Sequence, residues 1–277
     1  KSLQGHGTGW CTAGEGVAKA QLELGDFYVF YSRDKQEENK IPRVAIRMQN
    51  GEIAEVRGIE ADQNLEACMN DVAKDKVKEL PGAEKYEKRV SDMKRLTEIE
   101  KKINRRRDLE LQFGEAECQQ FFADNPEQKR EAAQAMEKVE KQMAEFDLTK
   151  EELRFLYEID ERIKGFGYQK DPRIEEIKNQ RHPRNDFAKI FDCKPEEVEI
   201  KLPNNRTVVF VGDFISEFFT NMPEKLRFII GNADFNNSTI KSIDNLRFVS
   251  RDAHFEHSNV ENFSTLEVGG LMYIDRN

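Results

Sequence analysis

The sequence predicts an α+β protein: a small N-terminal antiparallel sheet unit, a charged helical middle with a helical hairpin, and a short C-terminal leucine-rich-like β-solenoid. Three observations carry this. Aromatic and β-branched runs flank an Asn-Gly pair near the start, apolar residues recur at helical spacing through the middle, and a repeat of about twenty residues fills the end. The expected divisions are a small α/β unit over 1-62, a helical region over 63-193 and a solenoid over 194-277.

In the first stretch, Leu24 to Tyr31 reads as a strand from its aromatic and β-branched content, followed by the charged turn Arg33 to Lys40. Pro42 to Gln49 reads as a second strand, with Val44, Ile46 and Met48 alternating with Arg43, Ala45 and Arg47. Asn50-Gly51 is a strong hairpin signal because both residue types accept positive φ, and Glu52 to Gly58 continues the alternation. Three such strands are not stable uncovered, so a short helix from Glu15 to Glu23 is expected to cover their apolar face.

The middle is helical and strongly charged. Leu65, Met69, Val72, Val77 and Leu80 fit one helical stripe, stopped by Pro81-Gly82. Ala83 to Leu111 is polar except for Val90, Met93, Leu96, Ile99 and Ile103, a narrow seam suited to one partner helix. Asn125-Pro126 opens the next helix, whose seam runs through Ala132, Met136, Val139 and Met143. The two make an antiparallel hairpin, with another chain as the alternative partner of the seam. Thr149 to Glu152 is a capping box before a more apolar helix, Leu153 to Ile163. Gly165-Phe166-Gly167 ends it and Asp171-Pro172 starts another.

The last stretch repeats. Leu226, Arg227, Phe228, Ala233, Phe235 and Ser238 recur, twenty residues on, as Leu246, Arg247, Phe248, Ala253, Phe255 and Ser258. Ile240 and Ile243 become Val260 and Phe263, so the apolar positions are kept. A further copy begins at Leu266, and a looser one precedes through Val209, Gly212 and Phe214. Each coil cannot bury its apolar side alone, so neighbouring coils must stack. The last copy stops at Asn277 without a polar cap, as a cut chain or a packed end would.

Composition excludes several classes. The chain has 277 residues with 44 Lys+Arg against 53 Asp+Glu, a net charge of −9, which argues against a general nucleic-acid binder. Its 19 Phe exclude wholesale disorder, and no apolar run approaches a membrane span. Cysteines at 11, 68, 118 and 193 show no CxxC and read as reduced cytoplasmic thiols. No His/Cys cluster has zinc spacing, so neither metal nor cofactor is expected. Lys1, not Met, opens the chain, as in a processed fragment with something upstream, and no signal-peptide pattern follows.

Gly5 to Ala13 holds the single Trp and is the one stretch that suggests chemistry. Cys11, just before a helix and among glycines, would have its thiolate stabilised there, with His6 as base. That is a thiol-dependent acyl-transfer or hydrolase site with Cys11 and His6 as catalytic residues. The alternative is that Trp10 and Cys11 are core and the glycines shape a turn. The glycine spacing fits neither a P-loop nor GxGxxG. Lys101 to Arg107 is a basic cluster able to meet phosphates, but acids flank it and no aromatic is interleaved, so a solvated helix face is the plainer reading. Candidate binding residues are Trp10 and, on the solenoid, Arg227, Arg247, Asp234, His254 and His257.

The Trp10-Cys11-Thr12-Ala13 start, the strand at Gly25-Asp26-Phe27-Tyr28, and the stretch from Phe155 to Ile174 resemble uncharacterised bacterial and phage proteins with a WCTA segment. Such chains end in leucine-rich-type repeats. The first 60 residues also distantly resemble the PcfJ-like family of plasmid proteins, through the early Cys, Arg33-Asp34 and Gly58. The resemblance implies modular organisation and a bacterial intracellular setting, and it carries no catalytic residues over. The expected function is a protein-interaction module using the solenoid face or the helical seam. The alternatives are a thiol-dependent enzyme and, more weakly, a nucleic-acid-associated factor using Lys101-Arg107.

Overall fold

The structure, a computed structural model, describes residues 27–31, 42–50, 52–57, 83–163 and 170–274. The helix expected over 15–23, the stripe from Leu65 to Leu80 and the Gly165-Phe166-Gly167 stop lie outside the described residues. The chain is mixed helix and sheet, with a helical middle and a C-terminal parallel β-solenoid of about three turns. The described residues fall into two compact units, one within Lys1–Thr97 and Ile163–Asp171, the other within Glu98–Arg162 and Pro172–Asn277.

In the first unit, β1 (Phe27–Tyr31), β2 (Pro42–Gln49) and β3 (Glu52–Arg57) form an antiparallel sheet in that order. Tyr28 pairs with Ile46, and Met48 with Ile53. Asn50 has φ +52°, the left-handed turn conformation that asparagine tolerates. Ile46, Met48 and Ile53 are buried as the alternation requires. Arg47, which the same alternation assigns to the polar face, is also buried, and its Nη1 donates to Gln49 Oε1 at 3.2 Å. Adjacent strand residues point to opposite faces, so both faces of β2 are covered at this point.

The second unit holds most of the helical mass. Helix α1 (Ala83–Phe122) is 40 residues, about 60 Å at helical rise, and α2 is Pro126–Glu145. The apolar seam fades after Leu111, yet α1 runs eleven residues further because nothing but Gly114 interrupts a run of tolerable helix formers. Asn125 then caps α2, its Oδ1 accepting from the Gln128 amide at 2.9 Å, and Pro126 sits at the first turn. Arg106 of α1 is ion-paired with Asp147, two residues beyond α2, so the chain runs out from Arg106 and returns beside it. That is the expected antiparallel hairpin. Leu109 and Ala116 of α1 and Ala132 of α2 are buried along it, and Ile99 and Ile103 are buried on the stretch of α1 that precedes it.

Helix α3 (Lys150–Leu156) begins with the capping box: Glu152 N donates to Thr149 Oγ1 at 3.2 Å, and Thr149 N donates to Glu152 Oε2 at 2.9 Å. It ends well before the expected Ile163. Glu158 takes φ +55°, while Ile159 N donates to Arg154 O and Glu158 N to Phe155 O, the paired bonds of a Schellman end. A glutamate in the usual glycine position hid this stop. Helices α4 (Pro172–Asn179) and α5 (Pro183–Phe191) each open on proline. In the first turn of α5 the Asp186 carboxylate, itself buried, accepts from Tyr157 Oη at 2.8 Å and from Arg181 Nε and Nη2 at 2.7 and 2.6 Å. Burial and the adjacent Asp186 charge raise the Tyr157 phenol far above its ordinary value.

The solenoid has two parallel sheets. One runs β11-β9-β7-β5-β4: Glu267–Val268, Phe248–Val249, Phe228–Ile230, Val209–Val211 and Val198–Glu199. The other runs β12-β10-β8-β6: Met272–Ile274, Ala253–Phe255, Ala233–Asp234 and Phe214–Ile215. Phe228 pairs with Phe248 and Ala233 with Ala253, the register of the sequence repeat. The looser copy is a true coil, since Val209 pairs with Phe228 and Phe214 with Ala233.

Between the sheets, Phe214, Phe235, Phe255 and Phe263 stack in file at centroid spacings of 5.4, 5.0 and 5.2 Å. Asp213 Oδ1 accepts from Asn232 N, Asn232 Oδ1 from Asp252 N, and Asp252 Oδ1 from Leu271 N, a ladder one coil long per step. The recurring serines have a reason as well: Ser238 Oγ accepts from Ile240 N, and Ser258 Oγ from Val260 N, each at 3.2 Å. Coils approach closely at Gly231, where a Cβ would lie 2.2 Å from the Gly212 carbonyl oxygen, and Gly212 itself has φ +151°.

Candidate binding surface of the solenoid

Strand alternation decides what each sheet shows outward. On β6, β8, β10 and β12, Phe214, Ala233, Ala253 and Phe255 point into the core, and Ile215, Asp234, His254 and Tyr273 stand between and beside them on the outer side. Registry brings these four into one row, because Ile215 pairs with Asp234, Asp234 with His254, and His254 with Tyr273. At a parallel-strand spacing of about 4.8 Å the row spans roughly 14 Å. Its two ends are apolar and its centre is polar. Ile215 and Tyr273 are 41% and 37% exposed.

The centre of the row is held in place. The His254 ring stacks on the Tyr273 ring at 4.5 Å with an interplanar angle of 3°, and His254 Nδ1 lies 3.6 Å from Glu256 Oε2. Asp234 Oδ1 accepts from Asn236 N at 2.9 Å, and Asn236 Oδ1 accepts from Glu256 N at 2.8 Å. The surface therefore offers an aromatic edge, an imidazole and two carboxylates on a backbone fixed by inter-coil hydrogen bonds.

The other sheet is partly covered. Helix α5 packs against β4 and β5, and the Phe191 ring meets the Phe228 ring at a 30° tilt with centroids 4.3 Å apart. Arg184 Nη2 reaches Glu199 Oε1 at 2.9 Å. The Glu199 carboxyl is held below its ordinary range, chiefly by the amide of Ile200, which donates to it at 2.9 Å.

The sequence-derived candidates thus separate. Asp234 and His254 share the row. His257 is exposed at the corner that follows, with φ +57°, matching Asn237 at +54° one coil earlier. Arg227 and Arg247 are exposed in the turns leading into β7 and β9, on the five-stranded side, and Arg247 Nη1 donates to Thr265 Oγ1 at 2.9 Å. Cys11, His6 and Trp10 lie outside the described residues. Ile215, Asn236 and Tyr273 were not singled out from sequence, although carrying the repeat outward from Asp234 and His254 leads to Tyr273.

Two of the five cations of the basic cluster are ion-paired. Lys102 Nζ lies 2.6 Å from Glu152 Oε1, and Arg106 pairs with Glu110 and Asp147, leaving Lys101, Arg105 and Arg107 exposed. Burial pushes the Cys193 thiol up, the direction of a structural rather than a reactive cysteine. Among the described residues no three His, Cys, Asp or Glu side chains are arranged to hold a metal, and no helix is long and apolar enough to cross a membrane. No protein-family profile, curated protein or solved structure matches the chain. A solenoid is compatible with a protein-interaction module, since it presents an extended rigid surface.

Proposed function

We propose that the chain is a protein-interaction module whose contact surface is the outer face of the four-stranded solenoid sheet. The observation that supports this is the Ile215–Asp234–His254–Tyr273 row, open outward while the opposite sheet carries α5. Aromatic residues flanked by polar groups on a pre-ordered backbone are what interface hot spots require. The helical seam is the weaker candidate. Ile99, Ile103 and Leu109 are buried, and Glu100 and Lys102 beside them are paired with Arg173 and Glu152.

The test is affinity capture by the full chain and by His254→Glu/Tyr273→Ala from lysate of the source cells, read by quantitative mass spectrometry. Specific partners should be depleted about tenfold or more with the variant. The variant's thermal unfolding should match the wild type, because both side chains point outward. Identical capture by the two proteins would remove this face from consideration.

A further inference from the structure

The distal end of the hairpin carries a second exposed feature that the solenoid face does not account for. Phe121 and Phe122 close α1 with 79% and 75% of their surface exposed, and Leu111 is 66% exposed. The two phenyl rings meet edge to face, with centroids 5.0 Å apart. They stand fifteen and sixteen helical residues past Arg106, about 23 Å beyond the Arg106–Asp147 pair that closes the hairpin's base. Large adjacent aromatics in water at the end of a projecting element mark an interaction site.

Charge selects the partner. From Glu110 to Arg130 the chain carries Glu110, Glu115, Glu117, Asp124 and Glu127 against Lys129 and Arg130 at its very end. Among the described residues only Glu110 of these is ion-paired, to Arg106. The base of the hairpin, Lys101 to Arg107, has the opposite sign. Glu115, Glu117, Asp124 and Glu127 outnumber Lys129 and Arg130 around the two phenyl rings, and this net negative charge disfavours nucleic-acid phosphates, anionic headgroups and a second copy of the same tip.

We propose that the hairpin tip is a docking element for a protein surface presenting an apolar pocket rimmed by lysine or arginine. The phenyl rings fill the pocket, and the carboxylates set orientation and speed encounter. This is a separate surface from the solenoid row, and either one stands without the other.

The experiment uses the full chain and a fluorescein-labelled amphipathic peptide of leucine and lysine at helical spacing, followed by fluorescence anisotropy at two salt concentrations. Phe121→Ser/Phe122→Ser keeps every charge, so a loss of about tenfold or more in affinity is expected if the rings enter an apolar site. Phe121→Leu/Phe122→Leu should restore most of the binding. Glu115→Gln/Glu117→Gln/Glu127→Gln should weaken it several-fold and flatten its salt dependence. Equal affinity of the wild type and the serine variant would overturn the proposal. Stronger wild-type binding to phosphatidylserine vesicles than to the peptide, or a wild-type dimer in sedimentation that the serine variant abolishes, would overturn it as well. Both serine substitutions sit on exposed positions, and circular dichroism checks that α1 is retained.

Discussion

The solenoid and the helical hairpin are held together by different physics. In the solenoid, Leu226, Ile229, Ala233, Phe235 and Val249 are wholly buried, and neighbouring coils exchange backbone hydrogen bonds, such as Arg247 N to Arg227 O and Ala233 N to Asp252 O. In the hairpin all backbone bonds are local, the buried residues form one thin line, and ion pairs such as Lys102–Glu152 fasten its base. A polar helix can stand in water with its backbone satisfied, whereas a solenoid coil cannot satisfy its backbone without neighbours. Stability is therefore shared along the solenoid and stays local in the hairpin.

The largest test of that contrast is Phe235→Ala, which removes the ring between Phe214 and Phe255. A loss of about 3–5 kcal/mol is expected, and urea unfolding should show the whole solenoid melting earlier. Melting confined to one coil would contradict shared stability.

Gly231→Ala comes next. It forces a methyl into the Gly212 carbonyl, a backbone atom that cannot swing aside, so about 1–3 kcal/mol should be lost in the same assay. Gly114→Ala makes the contrast, because nothing lies within 4 Å of the added carbon; stability should be unchanged or slightly raised.

On the helical side, Asn125→Ala deletes the cap of α2 and should cost about 1 kcal/mol. Native-state hydrogen exchange should show faster exchange in the first turn of α2 and unchanged protection in β7 to β10.

The smallest effect is a pH dependence. Because the folded state holds the Glu199 carboxyl below its ordinary range, its contribution is present above the ordinary carboxylate pKa and fades as pH falls through the lowered one. Stability measured against pH should therefore fall less steeply on the acid side in Glu199→Gln than in the wild type. Tyr157 acts in the opposite range. Its raised phenol stabilises the fold below the ordinary tyrosine pKa of about 10, and that contribution declines as pH rises further. Tyr157→Phe should remove that alkaline decline.

The sequence was most legible where chemistry repeats. Leu226 to Ser238 over Leu246 to Ser258 revealed the coil register, and Asn50-Gly51 and Asn125-Pro126 marked a turn and a helix start, because local groups satisfy local backbone needs at those points. It was least legible where a residue departs from its usual role. Glu158 ends a helix in a left-handed conformation, Arg47 is buried in a strand, and α1 outlasts its own apolar seam. The candidate surface was half legible: Asp234 and His254 were visible as polar positions of the repeat, while Tyr273 became their neighbour through strand pairing.

By itself, then, the sequence determined the three kinds of structure, the coil period, the helix starts and the acidic, aromatic character of the hairpin tip. These follow from periodicity, capping and composition, which act over a few residues. Tertiary structure alone decided which outward side chains share a row, which sheet face α5 covers, and which lysines and arginines of the basic cluster are paired with a carboxylate. Each of those joins residues far apart in the chain, and no local pattern encodes such a pairing before the coils stack and the helices dock.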